Sequence, residues 1–154
     1  MLKKYLTVFF VSMVPLIELR GAIPYGVIFG LPLWSTYIIA IIGNMIPVPF
    51  IILFVRPLFK WIRVHIPKLE GFISRLEARA RAKSADVVRY QTWGLLLFVA
   101  IPLPGTGAWT GALVAALMGL RIKFALPAIG AGVAAAGVIV TLVCRGVIHI
   151  AGLG

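Results

Sequence analysis

Three stretches of the chain carry no charged residue: 21–55, 90–120 and 124–144. A membrane-crossing helix takes about 20 apolar residues, so the third stretch has the length of one crossing. The other two, of 35 and 31 residues, exceed one helix and fall short of two helices joined by a turn. Each is also broken internally, the first by Pro24, Gly26, Gly30 and Pro32, the second by Pro102, Pro104, Gly105 and Gly107. Backbone that leaves the helix at membrane depth survives only where it is buried in protein or lines a wet cavity. Such broken segments are where transporters hold their cargo. Composition agrees with a lipid solvent: 62% of residues are hydrophobic and 12% charged, against about 45–50% and about 25% in a soluble domain.

The N-terminal run, Lys3 and Lys4 before an uncharged segment from Tyr5 to Ile17, has the outline of a signal peptide. No small-residue cleavage site follows it, and Glu18 and Arg20 come at once, so the segment is expected to stay in the protein. The formal charge of +11 is placed unlike that of a nucleic-acid binder. Arg56, Lys60, Arg63, Lys68, Arg75, Arg79, Arg81, Lys83 and Arg89 all lie in one polar segment between the two halves. That concentration is the positive-inside signal and predicts that 56–90 is cytoplasmic and the protein sits in the cell membrane. Within it Leu69, Phe72, Ile73 and Leu76 recur at i, i+3, i+4 and i+7. This spacing predicts an amphipathic helix lying on the leaflet, or a solvated connector helix. Cys144 is alone, which leaves no disulfide within the chain, and His65 and His149 have no ligand partners at metal-binding spacing. No metal and no cofactor is expected. An enzyme is not expected either, since no nucleophile-base arrangement is visible and Asp86 falls in the polar segment.

The two halves echo each other. A shift of 89 residues superposes Leu6 on Leu95, Phe9 on Phe98, Pro15 on Pro104, Gly30 on Gly119, Leu31 on Leu120 and Gly43 on Gly132. Each half runs in the same order: apolar run, Pro/Gly break, second apolar run, Gly-Leu turn, clean span. Two topologies fit. In one, residues 5–29 and 93–118 are kinked full spans, giving four crossings. In the other, the broken segments are re-entrant hairpins and the halves are inverted copies; central Pro and Gly, where a hairpin must turn, favour it. The expected fold is therefore an all-α integral membrane domain over 1–154. Its repeat 1 covers about 5–55, the basic connector with its amphipathic helix about 56–90, and repeat 2 about 91–145.

The first break, Pro15 to Pro24, holds Glu18 and Arg20. A charge in hydrocarbon costs several kcal/mol unless it is paired or faces a cavity, which makes both residues candidates for substrate binding, with Gly21 and Pro24 loosening the backbone that follows them. On an ideal helix the two would point about 200° apart, so they pair only through unwound backbone, or they find partners in the second half. Snorkelling to the interface is the bland reading. The second break, Ile101 to Gly111, carries no charge. Its Pro102, Pro104, Gly105, Thr106, Gly107 and Trp109 offer exposed amides, a hydroxyl and an indole N–H able to cradle an anionic headgroup. It is not a nucleotide loop, because Thr110 stands where a third glycine is needed and no Gly-Lys-Ser/Thr follows. From Gly111 onward, the small residues at four-residue spacing suit helix packing. Asn44 is expected to act as interhelical glue and Arg145 as a helix-end anchor.

The stretch Pro-Leu-Ile-Glu-Leu-Arg-Gly-Ala-Ile-Pro at 15–24, the stretch Pro-Leu-Pro-Gly-Thr-Gly-Ala-Trp-Thr-Gly at 102–111 and the basic segment between them resemble the small multidrug export protein family over nearly the whole chain. That family is similar in turn to the DedA membrane proteins. The likeness implies two facing re-entrant hairpins and movement of polyprenyl-phosphate carrier lipid, although the second break here lacks the arginines that DedA proteins carry. Three functions are weighed. The first is a transporter or scramblase for an amphipathic substrate such as a phospholipid or polyprenyl phosphate, with Arg20 meeting the anion and Glu18 carrying a proton. The second is a proton-coupled exporter of lipophilic cations. The third is a non-transporting scaffold. The partners expected are the bilayer with anionic or polyprenyl-phosphate lipid, protons and a second copy in a homodimer, with no nucleic acid.

Overall fold

In the computed structural model the described residues are 1–82, 85–103 and 105–150, with backbone alone at 85–91. Pro104, Lys83 and the side chains of Asp86 and Arg89 lie outside them. The described residues form eight α-helices: α1 (Leu2–Met13), α2 (Glu18–Ile28), α3 (Leu33–Met45), α4 (Pro47–His65), α5 (Glu70–Ala82), α6 (Ala85–Ala100), α7 (Ala108–Met118) and α8 (Ile122–Ile150). A 3-10 turn at Pro67–Leu69 joins α4 to α5.

Two helices are long and apolar enough to cross a bilayer. One is Leu33–His65, in which α4 continues α3 through a bend at Ile46 where Pro47 begins the new helix; the other is α8. At 1.5 Å per residue they measure about 50 and about 44 Å. Their outer faces are apolar and exposed, with Ile38, Ile42, Phe50, Leu53 and Phe54 on the first and Leu142, Val143 and Val147 on the second. Side chains of that kind turned outward along a whole helix need lipid as their solvent. The chain is a membrane protein.

The arms of the two broken segments are shorter. The 12 residues of α1 and the 11 each of α2 and α7 reach about 18 Å or less, and the hydrocarbon layer is about 30 Å thick. They fold back on each other. Lys4 Nζ, near the start of α1, donates to Phe29 O just past the end of α2 at 2.8 Å. Further along α1, a Cβ placed on Gly26 of α2 would lie 3.1 Å from the Val8 side chain. In the second half Gly111 of α7 sits against Val99 and Leu95 of α6. Both broken segments are therefore helical hairpins, turning at 14–17 and at 101–107.

Local structure recurs at the 89-residue spacing. Gly30 and Gly119 have φ of +74° and +72°. Behind them Leu31 N–H reaches Gly26 O at 2.9 Å and Leu120 N–H reaches Ala115 O at 3.0 Å. This is the Schellman ending, in which a left-handed glycine lets the chain satisfy the last carbonyls and reverse. Packing recurs as well. The first arm of each hairpin lies on the span that follows it, α1 on α3 and α6 on α8. The second arms reach the long helix of the other half, α2 on α8 and α7 on α4, but each also packs against its own half, α2 on α3 more extensively than on α8, and α7 on α8. Glycine permits the first contact in both places: Gly43 faces Phe9 O and Ser12, and a Cβ on Gly132 would lie 2.7 Å from Leu96 O. One more pair falls on the same spacing, Arg56 with Arg145.

Three expectations need correction. The basic connector does not begin at residue 56, because α4 runs on to His65 and the cations from Arg56 to Arg63 belong to the span helix. The amphipathic α5 does not turn its whole stripe to lipid: Ile73 and Ala80 are buried where α5 meets α4 and α7, while Leu69 and Phe72 stay exposed. An ion pair from Arg63 to Glu77, 2.8 Å long, fixes that docking. Arg145 is not at a helix end, since α8 continues to Ile150. Asn44 is fully buried as interhelical glue would be, yet neither its amide nitrogen nor its oxygen has a hydrogen-bond partner among the described residues.

Candidate functional site

The tips of the two hairpins meet. Glu18, the first residue of α2, has φ of +50° and is the one non-glycine among the described residues in the left-handed region. That conformation costs an L-residue roughly 1–2 kcal/mol and persists only where its surroundings hold it. Here the hold is on the side chain: Oε1 accepts the Trp109 amide at 3.1 Å, and the Ala108 amide also faces the carboxylate. These are the first amides of α7, whose orphan N–H groups and positive dipole end attract an anion. Glu18 thus caps a helix of the other half. Gly107 makes room for it, since a Cβ there would run into the carboxylate and φ at 107 is +136°.

Two residues on, Arg20 does the complementary thing. Its guanidinium donates to Leu103 O, to Ile101 O at 3.4 Å and to Thr106 Oγ1 at 2.9 Å. Those carbonyls follow the C-terminal end of α6, where the dipole is negative, and each also accepts a backbone N–H of the turn. The Thr106 hydroxyl has one proton, with Ile101 O at 2.7 Å and Leu103 O at 2.8 Å to receive it, and it accepts from Arg20. The first break therefore works as a two-pronged clamp, carboxylate on the start of α7 and guanidinium on the end of α6. Pointing apart, which rules out a simple pair on one helix, is what lets the two charges reach two helix ends.

The other candidate residues divide. Glu18, Arg20, Pro102, Gly105 and Thr106, together with Pro15, Leu16 and Thr110, line an open cleft of about 370 Å³ between the tips. Gly21, Pro24, Gly107 and Trp109 do not line it. Gly21 gives way to the Ile17 side chain one turn back. Pro24 sits inside α2 and, having no N–H, leaves the Arg20 carbonyl without its helical donor. Trp109 donates its indole N–H to Met13 O at 2.9 Å, tying the second tip to the end of α1. Pro104 is outside the described residues. Leu16 and Thr110 were legible as members of the breaks, but nothing in their types marked them as cleft walls.

Charge is distributed unevenly in this cleft. Glu18 is only 5% exposed and faces inward on α7, whereas Arg20 is partly exposed at the cleft wall. Among the described residues no group of His, Cys, Asp and Glu could hold a metal ion.

An all-helical membrane protein with two helices long enough to span a bilayer, two helical hairpins and a charged cleft between their tips is the class defined by these features. Residues 18–139 match the family described as "Putative small multi-drug export protein", and the chain belongs to that family. No curated protein and no solved structure matches it.

Proposed function

We propose that the protein is a transporter or scramblase of the cell membrane that moves an amphipathic molecule with an anionic headgroup through the cleft between the hairpin tips. In this reading the hairpins are re-entrant, entering the bilayer from opposite faces as inverted copies, and the connector bearing the basic residues is cytoplasmic. Support comes from the short arms, the recurrent packing of the two halves and the concentration of cations in one segment. Trp34 and Trp61, both exposed, are about 40 Å apart along the first span helix. That matches the distance between the two interfacial levels where tryptophan settles.

The observation that carries the substrate class is that, of the two charged residues lining the cleft, Arg20 is the more exposed, while Glu18 is 5% exposed and already engaged by the start of α7. A phosphate monoester or diester would meet Arg20 and the Thr110 hydroxyl, and its acyl or prenyl chain would stay in lipid beside the exposed Leu16. Glu18 is suited to carry a coupling proton. Protonation would remove the anion from the start of α7 and loosen the tie between the tips, which links proton occupancy to opening. No enzymatic chemistry is assigned to the site. The family's description supports a second reading, export of lipophilic cations, but such a cation would have to pass Arg20 to reach a carboxylate already engaged by α7.

The test is transport by reconstituted protein of a labelled polyprenyl phosphate and of a lipophilic cation, with and without a proton gradient. Arg20→Gln is expected to lower transport of the anionic lipid at least tenfold, and Glu18→Gln to abolish the response to the gradient. Cation transport that Arg20→Gln leaves unchanged or raises would establish the exporter reading instead. Wild-type rates for both substrates in both variants would refute the site and leave a scaffold.

A further inference from the structure

A second concentration of charge lies well away from the hairpin tips and is independent of the transport reading. Arg56, Lys60 and Arg63 recur at i, i+4 and i+7 on α4, which puts them on one face of the helix. With Phe59, Leu117 of α7, and Glu77 and Arg81 of α5 they wall a pocket of about 210 Å³. Among the described residues that wall it there are four cations and one carboxylate. Arg56 is anchored by donating to Leu117 O at 2.7 Å at the end of α7, and Arg63 by its ion pair with Glu77. Lys60 is exposed. The pocket is built by three helices rather than by a flexible tail, so its charges are held together at fixed spacing.

Depth narrows the ligand. Arg56 is 23 residues along the helix from Leu33, about 35 Å at 1.5 Å per residue, which exceeds the hydrocarbon thickness of about 30 Å and lies within the headgroup layer. Trp61, on the same turns, is exposed as an interfacial tryptophan would be. The helices that build the pocket also carry exposed apolar side chains on their other faces, Phe54 and Leu58 on α4 and Phe72 on α5, as helices in contact with lipid do. A phosphate held at this depth would leave its acyl chains in the adjoining hydrocarbon layer. We propose that the pocket walled by α4, α5 and α7 binds the headgroup of an anionic phospholipid of the adjacent leaflet. The bound lipid bridges the span helix and α5, and thereby fixes the connector helix against the end of the second hairpin.

The experiment is native mass spectrometry of the full chain in non-ionic micelles, titrated with phosphatidylglycerol and, separately, phosphatidylcholine. One phosphatidylglycerol should be retained in preference to phosphatidylcholine. Lys60→Gln should weaken it about fivefold, the effect of one cation near a membrane surface. Glu77→Gln, which releases Arg63 from its carboxylate, should tighten it. Arg75→Gln, on α5 but outside the pocket, should change nothing, and millimolar inorganic phosphate should not displace the lipid. Equal weakening by Arg75→Gln would mean diffuse attraction to a basic segment. Displacement by phosphate would mean a free-anion site, and equal retention of phosphatidylcholine would mean no headgroup site. Any of the three overturns the proposal.

Discussion

Glu18 shows how much one residue can be asked to do. It adopts a left-handed backbone, sits buried, and puts its charge at the start of a helix 91 residues away in sequence. Its two contributions can be separated. Glu18→Gln keeps an oxygen for the Trp109 amide and loses only the charge, so the cost should be that of a charge–dipole interaction, about 0.3–1 kcal/mol and up to about 2 when partly buried. Glu18→Leu loses the acceptor as well and leaves buried amides unsatisfied, adding about 1–3 kcal/mol. Thermal unfolding in detergent should rank wild type above Gln above Leu; equal stability for all three would show that the clamp holds nothing. Gly107→Ala should be destabilising by a similar amount, because the new Cβ meets the same carboxylate. The sequence pointed to Glu18 and Arg20 by charge alone. Their partners were not legible, because the second break answers them with backbone amides and carbonyls, which every residue possesses, and across more than eighty residues of separation.

At the scale of elements, the glycine-leucine turns were the most legible feature. A Gly followed by an apolar residue at the end of a helix is a stop signal whose mechanism is known, and both turns form as the spacing predicts. Their surroundings differ. Nothing lies within 4 Å of a Cβ on Gly30, whereas one on Gly119 would be 3.3 Å from the Arg56 guanidinium that caps α7. Ala at either site must adopt positive φ, at roughly 1–2 kcal/mol. Gly119→Ala should therefore cost more than Gly30→Ala, and it should also weaken the Arg56 contact. Measured unfolding free energies in the reverse order would contradict the packing of α7 on α4. The docking of α5 was less legible. Its stripe of Leu69, Phe72, Ile73 and Leu76 specifies an apolar face but not what covers it, and lipid and protein are equally apolar partners. Ile73 and Ala80 went to protein and Phe72 did not, a division set by the position of α7, which no local pattern encodes.

On the scale of the whole molecule, the two halves build one site from unlike materials, charge from the first and backbone from the second. The central claim is that these hairpins enter from opposite faces, so that the tips meet between two aqueous compartments. That arrangement puts the start of α1 and the connector on opposite sides of the membrane, whereas kinked full spans would put them together. The measurement is labelling of single cysteines at Lys3→Cys and Arg75→Cys, in a Cys144→Ser background, with an impermeant thiol reagent applied to intact cells and to inverted vesicles. The account predicts that position 3 reacts from outside the cell and position 75 from the cytoplasmic side. Labelling of both positions from the cytoplasmic side alone would contradict it.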